Sequence, residues 1–249
     1  MTSRIKLLIE YEGTDYVGWQ KQKNGRSIQE EIEICLSQLY GVQIVIFVAG
    51  RTDSGVHALG QVAHFDLDKE TIKIDRLTSA LNSFLKKRKN KITILECKKV
   101  KKTFHSRFSA KKKTYLYKIL NRKTKSYLQT NRSWFVPIEI DLNAMKRSSI
   151  HFLGKHDFNA FRSIDCQAPK SERSIESVKI KKNKELIEIR ITGRSFLHNQ
   201  VRIMIGTLLN IGKGYWEINK VKEIILSKER KNAGPTAPPH GLYLEKIFY

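Results

Sequence analysis

Residues 27–41 read SIQEEIEICLSQLYG, and this stretch decides the fold of the first half of the chain. Ser27 and Glu30 have the spacing of a capping box, in which the two side chains satisfy free backbone N–H groups at the start of a helix. Apolar residues then recur every three or four positions, at Ile28, Ile32, Leu36 and Leu39. Gly41 can end the helix. The stretch therefore predicts an amphipathic helix.

Strands and a second helix are predicted on either side of this helix. Residues 4–12 alternate between apolar and polar side chains, as a strand with a buried face does. Further strands fit residues 42–49, 61–67 and 91–97, and the second helix fits residues 75–85. The resulting order is β-α-β-β-α-β, the ferredoxin-like arrangement.

The second half of the chain has a similar pattern of predicted elements. They are a strand at 113–121, a helix at 141–153, strands at 174–182 and 185–193, helices at 196–211 and 218–227, and a strand at 242–248. We therefore predict an α+β fold of two ferredoxin-like halves whose antiparallel sheets align, with an active-site cleft between them. The predicted domains are residues 1–103 and 104–249.

The net charge is the strongest feature of the composition. The 249 residues include 47 Lys and Arg against 24 Asp and Glu, a formal charge of +23. A polyanionic partner is the natural interpretation, and nucleic acid is the first choice. The alternative is compositional drift, because a lysine-rich, Ile- and Asn-rich chain is also what an AT-biased genome produces. No stretch approaches the roughly 20 apolar residues of a membrane span, so no membrane role is predicted.

Cysteine and histidine usage predicts neither disulfides nor a metal site. Cys35, Cys97 and Cys166 are few, odd in number and far apart, and the seven histidines show no ligand spacing. We expect a reducing, cytoplasmic compartment.

A candidate catalytic carboxylate lies in the segment GRTDSGVHA, residues 50–58, between two predicted strands. Asp and Gly are common turn residues, so the simplest interpretation is an ordinary turn. Nine residues, however, are more than a hairpin needs, and loops on a rigid scaffold often carry functional groups. Arg51 and Asp53 place a phosphate-binding cation and a carboxylate in close succession.

Two segments of the second half carry further candidates. Tyr115 and Tyr117 follow three lysines and share one face of a strand, so they are either two half-buried tyrosines or a stacking surface for an unpaired base. Arg202 lies in the otherwise apolar helix predicted at 196–211. It either extends to solvent or pairs with a carboxylate, because an unpaired buried charge is very costly.

Taken together, these segments resemble the tRNA pseudouridine synthase A family along essentially the whole chain. The resemblance rests on motifs in a fixed order: Tyr11–Gln20, Gly50–Ala58, Phe104–Ala110, Tyr115, Phe196–Gly206 and Ala237–Leu244. One departure is Gln200, where family members often have methionine. Because Asp53, Tyr115 and Arg202 are all present, we expect Gln200 to affect packing without abolishing activity.

The resemblance implies a role for each candidate. Asp53 is the essential carboxylate that attacks the ribose or otherwise assists glycosidic cleavage. Arg202 pairs with Asp53, and Tyr115 stacks on the uracil and assists removal of the C5 proton. Arg51 contacts the RNA backbone near the flipped nucleotide. Arg107 and His57 are also expected at the substrate.

The resemblance further implies a homodimer that modifies uridines 38, 39 and 40 in the tRNA anticodon stem-loop, without a metal or another cofactor. Two alternatives stay open. A non-catalytic RNA-binding protein would explain the charge and the tyrosines, although not a carboxylate in an RNA-binding loop. A related synthase acting on ribosomal or small RNA is less compatible with the order of the motifs.

Overall fold

The computed structural model describes residues 2–69 and 71–249. The chain forms two compact units, which we call unit 1 (Met1–Lys111 with Leu244–Tyr249) and unit 2 (Lys112–Tyr243). Both combine helices with mainly antiparallel strands, which confirms the predicted α+β class. That residues 1–103 and 104–249 are separate domains stays a prediction. In the described residues, no helix is long and apolar enough to cross a membrane.

Unit 1 has the predicted element order. Its elements are β1 (Ser3–Tyr11), α1 (Ile28–Tyr40), β2 (Phe47–Val48), β3 (His57–Leu67), α2 (Ile74–Lys87) and β4 (Ile92–Val100). Strand β1 lies between β4 and β3, antiparallel to both, and β2 pairs with β3. The last strand of the chain, β10 (Leu242–Phe248), is the neighbour of β3 in the sheet, and its residues from Leu244 onward belong to unit 1. Helix α2 packs against β4 and against α1, and both helices bury their apolar faces.

Helix α1 begins and ends as the sequence predicts. The Ser27 hydroxyl accepts a hydrogen bond from the Glu30 N–H at 3.2 Å. Gly41 ends the helix in the left-handed conformation, with φ 71°, and its N–H donates to the Ser37 carbonyl. Local sequence alone determines both ends, because the capping side chain and the positive-φ residue are present at the right positions.

The strand predicted at 42–49 is wrong for most of its length, because β2 has only two residues. The Ile44 N–H donates to the Ser37 hydroxyl and the Ile46 N–H to the Glu33 carboxylate, both on α1. These side chains take the place of a strand partner, so the backbone does not form a ladder there. Strand β3 begins at His57 rather than at 61, and the loop before it is shorter than predicted.

Unit 2 departs further from the prediction. Its elements are β5 (Lys112–Asn121), β6 (Trp134–Val136), α3 (Leu142–Ser149), β7 (Gly154–Asp157), β8 (Glu172–Asn183), β9 (Leu186–Gly193), α4 (Gln200–Gly212) and α5 (Lys220–Ser227), with short 3-10 turns. The strand order is β5-β9-β8-β7, and β6 pairs parallel with β5. The helix predicted at 218–227 is present as α5, whereas β6 and β7 were not predicted. Because these three elements go beyond the β-α-β-β-α-β order, a second ferredoxin-like half is not confirmed.

The start of α4 also differs from the prediction of a helix from 196. Asn199 has φ 60°, in the left-handed region, so the helix begins only at Gln200. The buried face of α4, which includes Ile203 and Leu208, belongs to the core of unit 2 with Ile187, Ile189 and Ile191 of β9. The residues from Phe196 to Asn199 are therefore a connection that leads into the helix.

Candidate active site

The loop between β2 and β3 holds Asp53 on a fixed backbone. The Trp19 N–H donates to the Thr52 carbonyl at 3.0 Å, and the Val56 N–H donates to the Asp53 carbonyl at 3.1 Å, which closes a turn. The Ser54 hydroxyl donates to the Tyr16 carbonyl at 3.1 Å. The peptide groups on both sides of Asp53 are thus anchored, while its side chain is only half-buried.

Two glycines let the stretch Tyr11–Gln20 approach this loop backbone to backbone. Gly18 has φ 113°, and a Cβ there would lie 2.8 Å from the Thr52 carbonyl oxygen. A Cβ on Gly13 would lie 2.0 Å from the Val56 carbonyl oxygen. The sequence alone gave this stretch no role beyond family resemblance. The signal that could have been used is the pair of glycines at a spacing of five residues.

A buried polar cluster lies below the loop. The Tyr11 hydroxyl lies 2.8 Å from the Thr52 hydroxyl, and the Gln61 amide donates to the Gly50 carbonyl at 2.8 Å. Burial raises the pKa of Tyr11 to about 12, so the phenol is neutral at pH 7. The loop therefore rests on hydrogen bonds between neutral groups.

The other candidates in unit 1 have different surroundings. Arg51 and Arg107 are exposed, and the Arg107 guanidinium lies 5.7 Å from the ring centre of Phe108. His57 is only 2% exposed, and its Nδ1 accepts a hydrogen bond from the Gly13 N–H at 2.9 Å. This bond gives His57 a part in holding the loop against Gly13. Its contact with substrate stays a prediction.

The two tyrosines of β5 differ in accessibility. The half-buried Tyr115 ring lies edge-on to Phe196, with 5.1 Å between ring centres. Tyr117 is fully buried, and its hydroxyl donates to the Pro238 carbonyl at 2.9 Å. Burial raises the pKa of Tyr117. A fully buried ring cannot stack on a base, so the idea of a stacking surface made by both tyrosines is wrong, and Tyr115 alone remains a candidate.

Arg202 lies in the first turn of α4, and its guanidinium is held on two sides. The Nε group donates to the Ala237 carbonyl and Nη1 donates to the Asn199 side-chain oxygen, each at 2.7 Å. The Ala237 N–H in turn donates to the Arg202 carbonyl at 3.1 Å. Arg202 is therefore not a freely extended surface arginine. Its pairing with Asp53, which belongs to unit 1, stays a prediction.

Comparison with known proteins identifies the family. The model of the tRNA pseudouridine synthase family matches residues 7–109 and 149–249. The chain belongs to this family. Relatives called tRNA pseudouridine synthase A include those of Sinorhizobium fredii, 44% identical over 99% of both chains, and Neorickettsia sennetsu, 46% identical over 99% of this chain and 100% of the relative. That of Wolbachia pipientis wMel is 45% identical, with the same coverage as the second.

Membership in the tRNA pseudouridine synthase family makes the chain an isomerase, which confirms the expected enzyme class. The matched ranges contain Asp53 and Arg202 but leave out residues 110–148, and with them Tyr115. No group of three or more His, Cys, Asp or Glu side chains in the described residues could hold a metal ion.

Gln200, the departure from the family pattern, is the first residue of α4. It is fully buried, and its side-chain oxygen accepts from the Leu197 N–H at 2.8 Å. Its amide nitrogen lies 3.9 Å from the Met204 sulfur. The side chain thus satisfies a backbone N–H just before the helix starts, a packing and capping role next to Arg202.

Proposed function

We propose that this enzyme converts uridine to pseudouridine at positions 38, 39 and 40 in the anticodon stem-loop of tRNA, with Asp53 as the catalytic carboxylate. The observation that carries the proposal is the Asp53 loop. Its backbone is fixed on both sides by hydrogen bonds from Trp19 and Val56, while Asp53 itself is only half-buried. Preorganisation of this kind is what a group that must meet one reacting atom requires.

The reaction is an isomerisation, so its atoms and electrons balance without a second substrate. The bond between C1′ and N1 breaks, a bond between C1′ and C5 forms, C5 loses a proton and N1 gains one. Asp53 acts either as a nucleophile on C1′ or by assisting elimination, and both routes need the ionised carboxylate. Because nothing is oxidised, reduced or consumed, the proposed reaction needs no cofactor.

Arg202 and Tyr115 complete the proposed site. A guanidinium held by Ala237 and Asn199 presents its remaining N–H groups in a fixed direction, and we propose that they bind the Asp53 carboxylate. The Tyr115 ring, set against Phe196, stacks on the uracil while the base turns, and its hydroxyl assists removal of the C5 proton.

The target uridine leaves the helical stack, which costs a few kcal/mol. Exposed cations that grip phosphates offset this, and Arg51 and Arg107 are the proposed contacts, with His57 close by. We further propose a homodimer located in the cytoplasm, and two ferredoxin-like halves whose aligned sheets form the cleft. The +23 charge supports a polyanionic substrate.

The proposed function is tested by mapping pseudouridine in tRNA from cells with and without the gene. The proposal predicts that pseudouridine disappears at positions 38, 39 and 40 and returns when the wild-type gene is restored. Unchanged tRNA, with pseudouridine lost instead from ribosomal or small RNA, would favour a different synthase substrate. Unchanged pseudouridine in every RNA would favour an RNA-binding protein without this activity.

A further inference from the structure

Unit 1 carries an exposed aromatic group that the proposed reaction does not use. The Phe108 side chain is 77% exposed, and its ring centre lies 4.4 Å from that of His105. Phe47 of β2 is 48% exposed and lies 6.0 Å from the His105 ring. We call Phe47, His105, Arg107 and Phe108 the Phe108 platform.

The platform rests on a buried and hydrogen-bonded base. Ser106 is fully buried, with its hydroxyl 2.8 Å from Nδ1 of His64 in β3, and its carbonyl accepts from the Tyr249 hydroxyl at 2.9 Å. The N–H groups of Arg107 and Phe108 both point at Nδ1 of His105, at 3.1 and 3.4 Å. The exposed ring of Phe108 is therefore presented by a fixed backbone, unlike a side chain on a free loop.

The imidazole of His105 in the platform and that of His64 behind it are neutral at pH 7. Burial, together with the charge of Arg4, lowers the pKa of His64 to about 4 and also lowers the pKa of His105. His64 stacks on Phe47 at 5.2 Å and meets His105 edge-on at 4.7 Å. The platform is thus a continuous set of uncharged rings with one cation, Arg107, whose guanidinium lies over the Phe108 ring at 5.7 Å from the ring centre.

Other exposed aromatic side chains lack this backing. Tyr127 is 86% exposed with Lys125 5.8 Å from its ring centre, and Tyr215 is 64% exposed with Lys213 at the same distance. Within the described part of the chain, no second ring packs on either of them. Phe108 differs because a group of packed aromatic rings supports it. An exposed phenylalanine that is supported in this way indicates a surface that a ligand covers.

We propose that the Phe108 platform binds one unpaired nucleobase of the RNA substrate, with the base stacked on the Phe108 ring and its phosphate beside Arg107. The proposal rests on the proposed function only in taking RNA as the ligand. Every base has a π-face, and an aromatic ring next to arginine in a strongly basic protein is the usual combination for single-stranded RNA. A second copy of this chain, with the same +23 charge, complements the platform less well.

The stacked base is a different nucleotide from the reacting uridine. His64, below the platform, lies seven residues along β3 from His57, the residue next to the Asp53 loop. At about 3.3 Å per strand residue, and with one extra residue in the bulge between Ala58 and Gln61, this places the two positions about 20 Å apart. The platform therefore fixes the position of the substrate and takes no part in the chemistry.

The test compares Phe108→Ala with Phe108→Tyr, which keeps the ring, and with Tyr127→Ala, which removes an equally exposed aromatic beside a cation. The probe is an anticodon stem-loop RNA with 2-aminopurine at single-stranded loop positions. Kd, fluorescence, pseudouridine formation and oligomeric state are measured for each variant. Phe108→Ala is expected to weaken binding and raise KM by about tenfold. Phe108→Tyr and Tyr127→Ala are expected to resemble wild type, with kcat unchanged in all three.

Three results would overturn the proposal: unchanged binding in Phe108→Ala, an equal loss in Tyr127→Ala, or a Phe108→Ala protein that changes from dimer to monomer, which would place a second copy on the platform. Failure of the proposed function is a separate result. A wild-type protein that makes no pseudouridine, but whose RNA binding still depends on the Phe108 ring, would refute the function and support the platform.

Discussion

At the scale of single residues, Arg202 shows how a charged side chain is placed in an apolar helix. Its guanidinium is fixed by one backbone carbonyl and one side-chain oxygen, from Ala237 and Asn199. Asn199 adopts a left-handed conformation that is unusual for a residue with a side chain, and the strain of such conformations is typical of functional sites. We infer that Asn199 is a positioning residue for Arg202.

We predict that Arg202→Lys markedly lowers turnover with only a modest change in stability. Lysine keeps the positive charge but lacks the planar guanidinium, which can donate to the Ala237 carbonyl, the Asn199 side chain and a carboxylate at the same time. Arg202→Leu suits the apolar helix, so it should remove activity while the fold survives. Single-turnover rates and thermal unfolding of each variant test this. Wild-type turnover in Arg202→Lys would show that the planar geometry of the guanidinium is not needed for activity.

Asn199 provides the control for this prediction. Asn199→Gly relieves the left-handed strain, which stabilises by up to about 1 kcal/mol, but removes the acceptor for Arg202. Turnover should therefore fall while Tm stays constant or rises. A parallel fall of turnover and Tm would mean that Asn199 acts only through the stability of unit 2.

The sequence singled out candidate site residues, but it did not predict how exposed their side chains are. Arg202 stood out in the sequence as the one charged residue in an otherwise apolar helix. The two oxygen atoms that accept hydrogen bonds from its guanidinium could be identified only from the structure. Tyr115 and Tyr117 look equivalent in a strand pattern, yet one is half-buried and the other fully buried. The difference depends on Pro238 and Gly241, which approach Tyr117 from far along the chain and leave no local signal.

At the scale of elements, the Asp53 loop depends on its contact with the stretch from Tyr11 to Gln20. We predict that Gly18→Ala lowers both stability and activity, because a Cβ would meet the Thr52 carbonyl and displace the residue before Asp53. Gly41→Ala is the matched control. It also requires a positive φ, but a Cβ there meets nothing within 4 Å.

For Gly41→Ala we expect a loss of about 1–2 kcal/mol in stability and unchanged kcat. For Gly18→Ala we expect at least the same loss and a clear fall in kcat. Thermal unfolding and pseudouridine formation in tRNA measure the two effects. Equal kcat in the two variants would show that the contact of Gly18 with the loop does not position Asp53.

Helices and strands could be predicted where several local sequence signals agree. They could not be predicted where hydrogen bonds to residues elsewhere in the fold replace those of the regular element. The start and end of α1 followed from Ser27 and Gly41. A strand was wrongly predicted before β2 because the apolar residues there fit a strand pattern. In the structure, the side chains of Ser37 and Glu33 accept hydrogen bonds from backbone N–H groups of this segment. The late start of α4 could not be predicted, because an asparagine at positive φ has no distinct sequence pattern.

At the scale of the whole molecule, the charge of +23 predicts that tRNA binding depends steeply on salt. The slope of log Kd against log salt should change by about 0.7–0.9 for each phosphate contacted. Arg51→Gln should reduce the slope by about the amount expected for one phosphate contact. Lys86 is exposed on α2, and Lys86→Gln should leave the slope unchanged. A flat salt dependence would mean that the charge is compositional drift.

The most direct test of the account is pseudouridine formation by Asp53→Asn, measured together with tRNA affinity. Asparagine has the same shape and keeps the anchored loop, but it cannot ionise. We predict no detectable pseudouridine and a Kd for tRNA close to that of wild type. Pseudouridine formation at a near wild-type rate would contradict Asp53 as the catalytic carboxylate. A parallel loss of tRNA binding would assign Asp53 a structural role instead.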